Sequence, residues 1–227
     1  MRLIIGNKNY SSWSFRPWIV MTAKGIAFEE TLVPLRAVDT PARIRQFSPS
    51  SKVPCLVDGD VTVWESLSIM DYLAERFPGK NIWPKDTKAR AHARSISSEM
   101  HAGFQALRMA CPMSITQRFK PKPLADDVKA NVARIAEIWG EARSRFADTA
   151  AGPFLYGAFS AADGMYAPVV SRFHSYGIAP DAVAVAYMDA VRAHPAYRAW
   201  LAAATEEPWI IQQNEADTPI EDLRRKA

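Results

Sequence analysis

Residues 52–78, KVPCLVDGDVTVWESLSIMDYLAERFP, contain the strongest structural signals in the chain. Two β-rich runs, 53–57 and 61–64, flank the turn sequence DGD at 58–60, and this pattern predicts a β-hairpin. Residues 67–77 carry apolar side chains at helical spacing and predict an amphipathic helix. The segment therefore predicts a strand, a turn, a second strand and a helix.

The residues before this segment predict two more strands and two more helices. Strands are expected at 2–5 and 28–34, and helices at 14–24 and 41–47. The resulting order is βαβαββα. Because the first two strands are joined through a helix, we expect them to be parallel, whereas the hairpin is antiparallel.

The residues after this segment predict helices only. The stretch PGKNIWPK contains two prolines and a glycine, which predicts a linker at 79–85 between domains at 1–78 and 86–227. Stretches of helical length and composition lie at 89–109, 124–147, 163–176, 182–193 and 197–207. The fold class is therefore a small α/β domain followed by an all-helical domain.

Composition and charge indicate a globular protein and argue against binding to nucleic acid or a membrane. The chain has 227 residues, of which 48% are hydrophobic and 23% charged, as in globular proteins. The net charge of +4 is spread over both halves, and the small basic clusters at 118–122 and 224–226 are interpreted as a solvated loop and a tail. Neither nucleic acid nor a membrane is therefore expected as a partner. With no secretory signal pattern at the N-terminus, we expect a cytoplasmic protein.

The cysteines and histidines indicate no disulfide framework and no metal site. Cys55 and Cys111 are far apart, and the sequence has no C-x-x-C motif. The four histidines show neither an H-x-x-x-H spacing nor a close grouping with cysteine.

Two pairs of polar residues are candidates for binding a small zwitterion. Glu65 and Ser66 lie where the second hairpin strand meets its helix, and Ser66 is expected to be the N-cap residue. The helix N-terminus would then bind a carboxylate and Glu65 an ammonium group; the alternative is an ordinary cap beside a solvated glutamate. Ser11 and Ser12 follow the first strand. With no Asp–His pair nearby and no G-x-S-x-G motif, their hydroxyls are interpreted as hydrogen-bond donors to an anion, not as nucleophiles.

Three segments together resemble the glutathione S-transferase family, especially its zeta-like and theta-like members. They are SSWSFRPWIVMTAKGI at 11–26, the quoted segment at 52–78, and GPFLYGAFSAADGMYAPVV at 152–170. The resemblance covers essentially the whole chain. It implies a thioredoxin-like N-terminal domain, a helical C-terminal domain, a homodimer, and an enzyme that conjugates glutathione, its co-substrate, to small electrophiles.

The resemblance also implies roles for individual residues. Pro54 would be a cis-proline that presents the backbone of Val53 to the cysteinyl part of glutathione. Glu65 and Ser66 would hold the γ-glutamyl end, and Lys52 the glycyl carboxylate.

The same resemblance implies that Ser11 or Ser12 donates a hydrogen bond to the glutathione sulfur, with the alignment slightly favouring Ser11. A free thiol has a pKa of about 8.5. One charge-assisted hydrogen bond, at roughly 1.5–3 kcal/mol, would lower that pKa by about 1–2 units. The N-terminus of the first helix would add to this effect.

Trp13 departs from the zeta-like pattern, which has cysteine at this third position of the serine loop. The departure argues against a glutathione-dependent isomerase. An isomerase or dehalogenase remains an alternative, as does a non-catalytic binding protein of this fold. Trp13 could instead form a wall of the electrophile pocket. His101, Phe104 and Arg108 have helical spacing and are expected to share one face, either in that pocket, where they would suit an anionic electrophile, or at a subunit interface.

Two further patterns are interpreted as structural. Ser160 and Asp163 form a variant of the capping box at the start of a helix. The tryptophans at 64, 139, 200 and 209 are expected in the core.

Overall fold

The first half of the computed structural model has the expected element order. The structure describes residues 1–215 and 217–224. The elements of this half are β1 (Arg2–Ile5), α1 (Ser12–Ala23), β2 (Glu29–Leu32), α2 (Thr40–Arg45), β3 (Cys55–Asp58), β4 (Val61–Trp64) and α3 (Ser66–Arg76). The prediction of βαβαββα is therefore confirmed.

These strands form one mixed sheet in the order β2-β1-β3-β4. Strands β1 and β2 are parallel, with Leu3 opposite Glu30, and β3 is antiparallel to both β1 and β4. The Val53–Pro54 peptide bond, immediately before β3, is cis, as the resemblance implied.

The second half is helical, with one addition that the sequence did not predict. Its helices are α4 (Thr87–Ala102), α5 (Gln105–Ala110), α6 (Asp126–Phe146), α7 (Ala161–Tyr176), α8 (Ala182–Ala193) and α9 (Pro195–Thr205). The expectation that no strand follows residue 85 is wrong, because β5 (Gln117–Arg118) pairs with β6 (Glu221–Asp222) as an antiparallel ladder. This pair joins segments about a hundred residues apart and is too short to leave a periodic signal.

The expectation of one continuous helix over 89–109 is also wrong. Helix α4 is capped by Gly103, whose N–H donates to the Glu99 carbonyl, and Phe104 then adopts a left-handed conformation with φ of 57°. The chain therefore changes direction between α4 and α5.

The main core lies between the sheet and the C-terminal helices. Helix α1 packs on β1 and also against α7 and α9, so it is shared by both halves of the chain. Contact between α1 and α7 is close because Gly164 has no side chain: a Cβ there would lie 2.3 Å from Val20 Cγ2 and 3.1 Å from the Arg16 carbonyl oxygen. A second, smaller cluster of Ile4, Val33, Ile44 and Cys55 packs on the opposite face of the sheet.

The predicted capping box is confirmed at the start of α7. The Asp163 carboxylate accepts hydrogen bonds from the Ser160 N–H (2.7 Å) and hydroxyl (2.9 Å), and also from the Leu155 N–H and the Tyr187 hydroxyl, each at 3.1 Å. All four donors converge on a side chain that is fully buried, so this aspartate is structural.

The prediction that four tryptophans lie in the core is half right. Trp139 and Trp200 are fully buried, but Trp64 is 43% exposed and Trp209 is 39% exposed. Trp64 lies on the edge strand β4, where only one neighbouring strand covers it, and Trp209 follows the end of α9.

The interpretation of residues 224–226 as a solvated tail is wrong for Arg224, whose guanidinium contacts Glu215 and Asp222. Arg225 and Lys226 lie outside the described residues. Within the part of the chain that the structure describes, no helix combines the length and apolarity needed to cross a bilayer.

Candidate functional site

A cleft of about 610 Å³ lies between the loop that follows β1, the α2 region and the C-terminal half. The N-terminal half contributes Tyr10, Ser11, Ser12 and Trp13 with Lys52 and Val53, and the C-terminal half contributes Arg108, Arg172, Ile211 and Asn214. Both halves of the chain are therefore needed to form it.

A smaller cavity of about 230 Å³ adjoins this cleft. It is lined by Ser50, Pro54, Glu65 and His101 together with four residues that also line the larger cleft: Trp13, Lys52, Val53 and Arg108. The half-buried Trp13 thus lies at the boundary between the two spaces, and its role as a wall of an electrophile pocket stays a prediction.

The two serines differ in how their hydroxyls are bonded. Ser11 is the N-cap of α1: its hydroxyl accepts weakly from the Ser14 N–H (3.4 Å) and donates to Ser14 Oγ (2.8 Å). Ser12 is the first residue of α1, and its hydroxyl makes no hydrogen bond to another described residue. Both serines are buried against the cleft, but only the Ser12 hydroxyl is free to donate to a ligand without breaking an existing bond.

The expectation that Ser66 is an N-cap residue is wrong, because Glu65 occupies that position and Ser66 is the first residue of α3. Glu65 has φ of 67° and ψ of 128°, a left-handed backbone that non-glycine residues rarely adopt. The Ser66 hydroxyl points at Met165 Sδ, 4.0 Å away, and is not among the groups that line either cavity. Glu65 itself lines the smaller cavity, so the structure places this carboxylate beside Lys52 and Val53 but not the Ser66 side chain.

His101 and Arg108 meet around Trp13, whereas Phe104 does not join them. The His101 ring lies edge-on to Trp13 with centroids 5.1 Å apart, and the Arg108 guanidinium carbon is 5.5 Å from the Trp13 ring. Phe104 is only 8% exposed and belongs to the core, because the break after α4 turns it away from the face that His101 presents. The predicted shared helix face is therefore wrong, although two of its three residues reach the site.

The surroundings of His101 disfavour the protonated form of its imidazole. Burial lowers the pKa of its imidazole, and the nearby Arg16 and Arg108 lower it further, while Glu65 opposes them. His101 Nε2 is 3.6 Å from Glu65 Oε2, so this contact becomes an ion pair only under acidic conditions.

Two buried arginines that sequence reasoning did not identify lie at or beside the larger cleft. The Arg16 side chain is fully buried against the Trp13 ring, 4.0 Å from its centroid, and donates through Nε to the Met165 carbonyl (3.1 Å). Its two terminal nitrogens have no acceptor among the described residues. Arg172 donates to the Cys111 carbonyl (2.9 Å) and lines the larger cleft.

Neither Arg16 nor Arg172 is paired with a carboxylate within the described ranges. Burial lowers the pKa of both guanidinium groups, that of Arg172 to about 10, and Arg108 lowers both further. Arg172 is thus still protonated at pH 7, and the arginines favour an anion in this region. Both lie on helices at positions that show no local pattern, which is why the sequence alone did not reveal them.

Comparisons with known proteins find matches for both halves of the chain. Residues 10–76 match the family model described as glutathione S-transferase, N-terminal domain, and residues 125–203 match the model for its C-terminal domain. A probable maleylacetoacetate isomerase from Caenorhabditis elegans is 39% identical over 98 residues, which are 43% of this chain and 45% of that protein. Glutathione S-transferase L1 from Arabidopsis thaliana is 27% identical over 162 residues, 71% of this chain and 62% of that protein. The chain thus spans about half to three fifths of these curated relatives.

Solved structures share the fold over nearly the whole chain. A sphingomonad glutathione S-transferase complexed with glutathione is 25% identical, with a TM-score of 0.64, over 90% of this chain and 98% of that one. A Burkholderia glutathione transferase homologue with bound glutathione is 21% identical, with a TM-score of 0.65, over 89% of this chain and 96% of that one.

Proposed function

We propose that this chain, which belongs to the glutathione S-transferase family, is an enzyme that conjugates reduced glutathione to small electrophiles. In this proposal residues 1–78 form the glutathione-binding domain, 79–85 a linker and 86–227 the second domain. The enzyme would act as a cytoplasmic homodimer, with glutathione as its co-substrate.

The observation that carries the proposal is the grouping of Lys52, Val53, Pro54 and Glu65 around one small cavity that opens beside the serines. Val53 and Pro54, which are joined by a cis peptide bond, both line that cavity, and the Val53 backbone is the proposed partner of the cysteinyl part of glutathione. Glu65 supplies a carboxylate for the ammonium group of the γ-glutamyl end, and Lys52 a cation for the glycyl carboxylate. The first N–H groups of α3, which have no partners within the helix, suit the γ-glutamyl carboxylate.

Ser12 is the proposed donor to the glutathione sulfur. Its hydroxyl faces the cleft at the N-terminus of α1, where the helix dipole also favours a negative charge, while the Ser11 hydroxyl is used by Ser14. The thiol of bound glutathione would lose its proton to solvent, and the thiolate would then attack an electrophilic carbon held beside it. The new carbon–sulfur bond forms as the leaving group departs with its electron pair, or as the electron pair of an activated double bond moves away.

The electrophile is proposed to occupy the larger cleft, next to Trp13. Arg108 and Arg172 line that cleft without carboxylate partners in the described ranges, which supports an electrophile that carries a negative charge. A glutathione-dependent isomerase is the second candidate, because relatives named maleylacetoacetate isomerase match about two fifths of the chain. Trp13 at the third position of the serine loop supports conjugation instead.

The test is the rate of glutathione conjugation to an activated aryl halide, measured against pH for the wild type, Ser12→Ala and Ser11→Ala. Ser12→Ala is expected to lower kcat/KM at pH 6.5 by about 10-fold or more, which is one pKa unit of lost thiolate stabilisation. Ser11→Ala is expected to lower kcat/KM at this pH by a smaller factor. No conjugation by the wild type, combined with isomerisation of maleylacetoacetate, would select the second candidate. Glutathione binding without turnover of any electrophile would indicate a non-catalytic binding protein.

A further inference from the structure

The turn that leads into Ser11 and Ser12 is held by the C-terminal half of the chain. The backbone of Lys8 and Asn9 is buried, and their two carbonyl oxygens accept hydrogen bonds from Trp200 Nε1 (2.8 Å) and the Ile115 N–H (3.1 Å). A turn at this point leaves successive N–H groups without partners of their own, and buried N–H groups must be satisfied.

Glu207 satisfies both of those N–H groups. Its Oε1 accepts from the Lys8 N–H at 2.6 Å and its Oε2 from the Asn9 N–H at 3.3 Å. One carboxylate from the end of α9 therefore bridges two consecutive peptide groups that lie about two hundred residues earlier in the chain. The charged side chains that face it are Lys8 and Glu30, and Lys8 is itself paired with Glu30.

Backbone hydrogen bonds within the turn connect Lys8 and Asn9 to the two serines. The Asn7 carbonyl accepts from the N–H groups of Tyr10 (3.2 Å) and Ser11 (2.7 Å), and the Ser12 N–H donates to the Tyr10 carbonyl (3.0 Å). Shifting Lys8 and Asn9 would therefore move the start of α1, where Ser11 and Ser12 line the cleft.

A second contact holds the same turn from the C-terminal segment. The Tyr10 hydroxyl donates to Glu215 Oε1 (2.6 Å) and accepts from Arg224 Nη1 (3.1 Å). Between Glu207 and Glu215, Ile211 and Asn214 line the larger cleft. The segment after α9 is thus part of the wall of the site as well as a support for the turn.

We propose that Glu207 is a positioning residue for the glutathione thiolate, because its carboxylate fixes the turn at 7–11 and with it the hydroxyls of Ser11 and Ser12. The inference rests on the proposed function. Glu207 does not contact the substrate; it acts by keeping a hydroxyl at hydrogen-bonding distance from the sulfur.

The test is the pH dependence of kcat/KM for Glu207→Gln, with Glu75→Gln, an exposed residue of α3, as the matched control. The glutamine oxygen can accept from only one of the two N–H groups, while its amide nitrogen faces the other. We expect the acidic limb of the profile to move up by about one pH unit, so that activity falls about 10-fold at pH 6.5. Above the pKa of free glutathione the variant should recover to within about 3-fold of the wild type, because the thiol there ionises without help.

Several outcomes would overturn the inference. An equal loss at every pH would make Glu207 merely structural, and an unchanged profile would remove it from the mechanism altogether. If Glu207→Gln does not fold, as judged by circular dichroism, Arg224→Gln tests the same idea at the second contact and should shift the limb in the same direction by a smaller amount. A wild type whose bound thiol titrates like free glutathione would refute the proposed function, whatever Glu207 does.

Discussion

Replacing Gly164 by alanine tests whether close contact between α1 and α7 holds the two halves of the chain together. The added Cβ would lie 2.3 Å from Val20 Cγ2, 3.1 Å from the Arg16 carbonyl oxygen and 3.5 Å from Met70 Cε. At 2.3 Å the Val20 side chain or one of the two helices must move. The Val20 side chain cannot easily rotate away, because valine has one strongly preferred rotamer in a helix.

Two opposing terms set the size of the effect. Overpacking a core of this kind costs about 1–3 kcal/mol, whereas alanine is favoured over glycine inside a helix by about 1 kcal/mol. Because the clash involves both a branched side chain and a backbone oxygen, we expect the upper part of the first range. The net loss in unfolding free energy is then about 2 kcal/mol, or roughly 4–8 °C in Tm for a chain of this size.

The measurement is urea denaturation followed by circular dichroism, with Gly140→Ala as the matched control. A Cβ at Gly140, in α6, would meet no atom within 4 Å, so this variant should gain up to about 1 kcal/mol from helix propensity alone. Combining Gly164→Ala with Val20→Ala should cost less than the sum of the single changes, because the clashing methyl is gone. The reasoning is refuted if Gly164→Ala is as stable as Gly140→Ala.

Three further predictions concern buried polar groups. Burial, then Arg192 and Arg118, lower the pKa of His174 to about 4, with Glu221 and Asp189 opposing. As the pH falls below about 6.5, His174 becomes protonated in the unfolded chain but stays neutral in the folded chain. The unfolding free energy should therefore drop by about 1–2 kcal/mol between pH 7 and 5, after discounting for partial exposure. His174→Gln should remove that part of the pH dependence measured by urea denaturation. Asp163→Ala leaves four buried donors without their acceptor and should lower the unfolding free energy by about 3 kcal/mol or more. The control Glu75→Ala, at an exposed position, should lower it by less than about 0.5 kcal/mol. Equal losses would contradict the structural role of Asp163 in the capping box. Arg16→Met removes a buried guanidinium that has no carboxylate partner among the described residues and donates through Nε to the Met165 carbonyl. It should change the unfolding free energy by less than about 1 kcal/mol, whereas a loss of about 3 kcal/mol would mean that further acceptors hold the two terminal nitrogens.

The sequence predicted those parts of the fold that depend on local signals. The Asp-Gly turn at 58–60 and the alternation around it specify the hairpin without outside help, and Ser160 and Asp163 specify their cap within four residues. The break at Gly103 was missed because a single glycine in a helical pattern does not distinguish a tolerated residue from a stop. Phe104 was consequently assigned to the wrong surface.

The grouping of the candidate site residues was predicted where residues near in sequence are also near in space, and it was missed elsewhere; the roles of these residues stay predictions. Lys52, Val53, Pro54 and Glu65 gather as expected because one hairpin carries them. The N-cap of α3 was misassigned by one residue, because the amino-acid sequence does not reveal the left-handed backbone of Glu65. Arg172 lines the larger cleft, Arg16 packs on Trp13, and Glu207 holds the turn before the serines. These contacts join segments that are distant in sequence, so no local pattern encodes them.

The most direct test of the central claim is an ultraviolet titration of the thiolate of bound glutathione against pH, for the wild type and the Ser12→Ala and Ser11→Ala variants. We expect the bound thiol to titrate about 1–2 units below the free value of about 8.5. In Ser12→Ala the pKa of the bound thiol should rise most of the way back to the free value, and in Ser11→Ala it should rise by less. Binding with an unshifted thiol in the wild type, or no binding at all, would contradict the account.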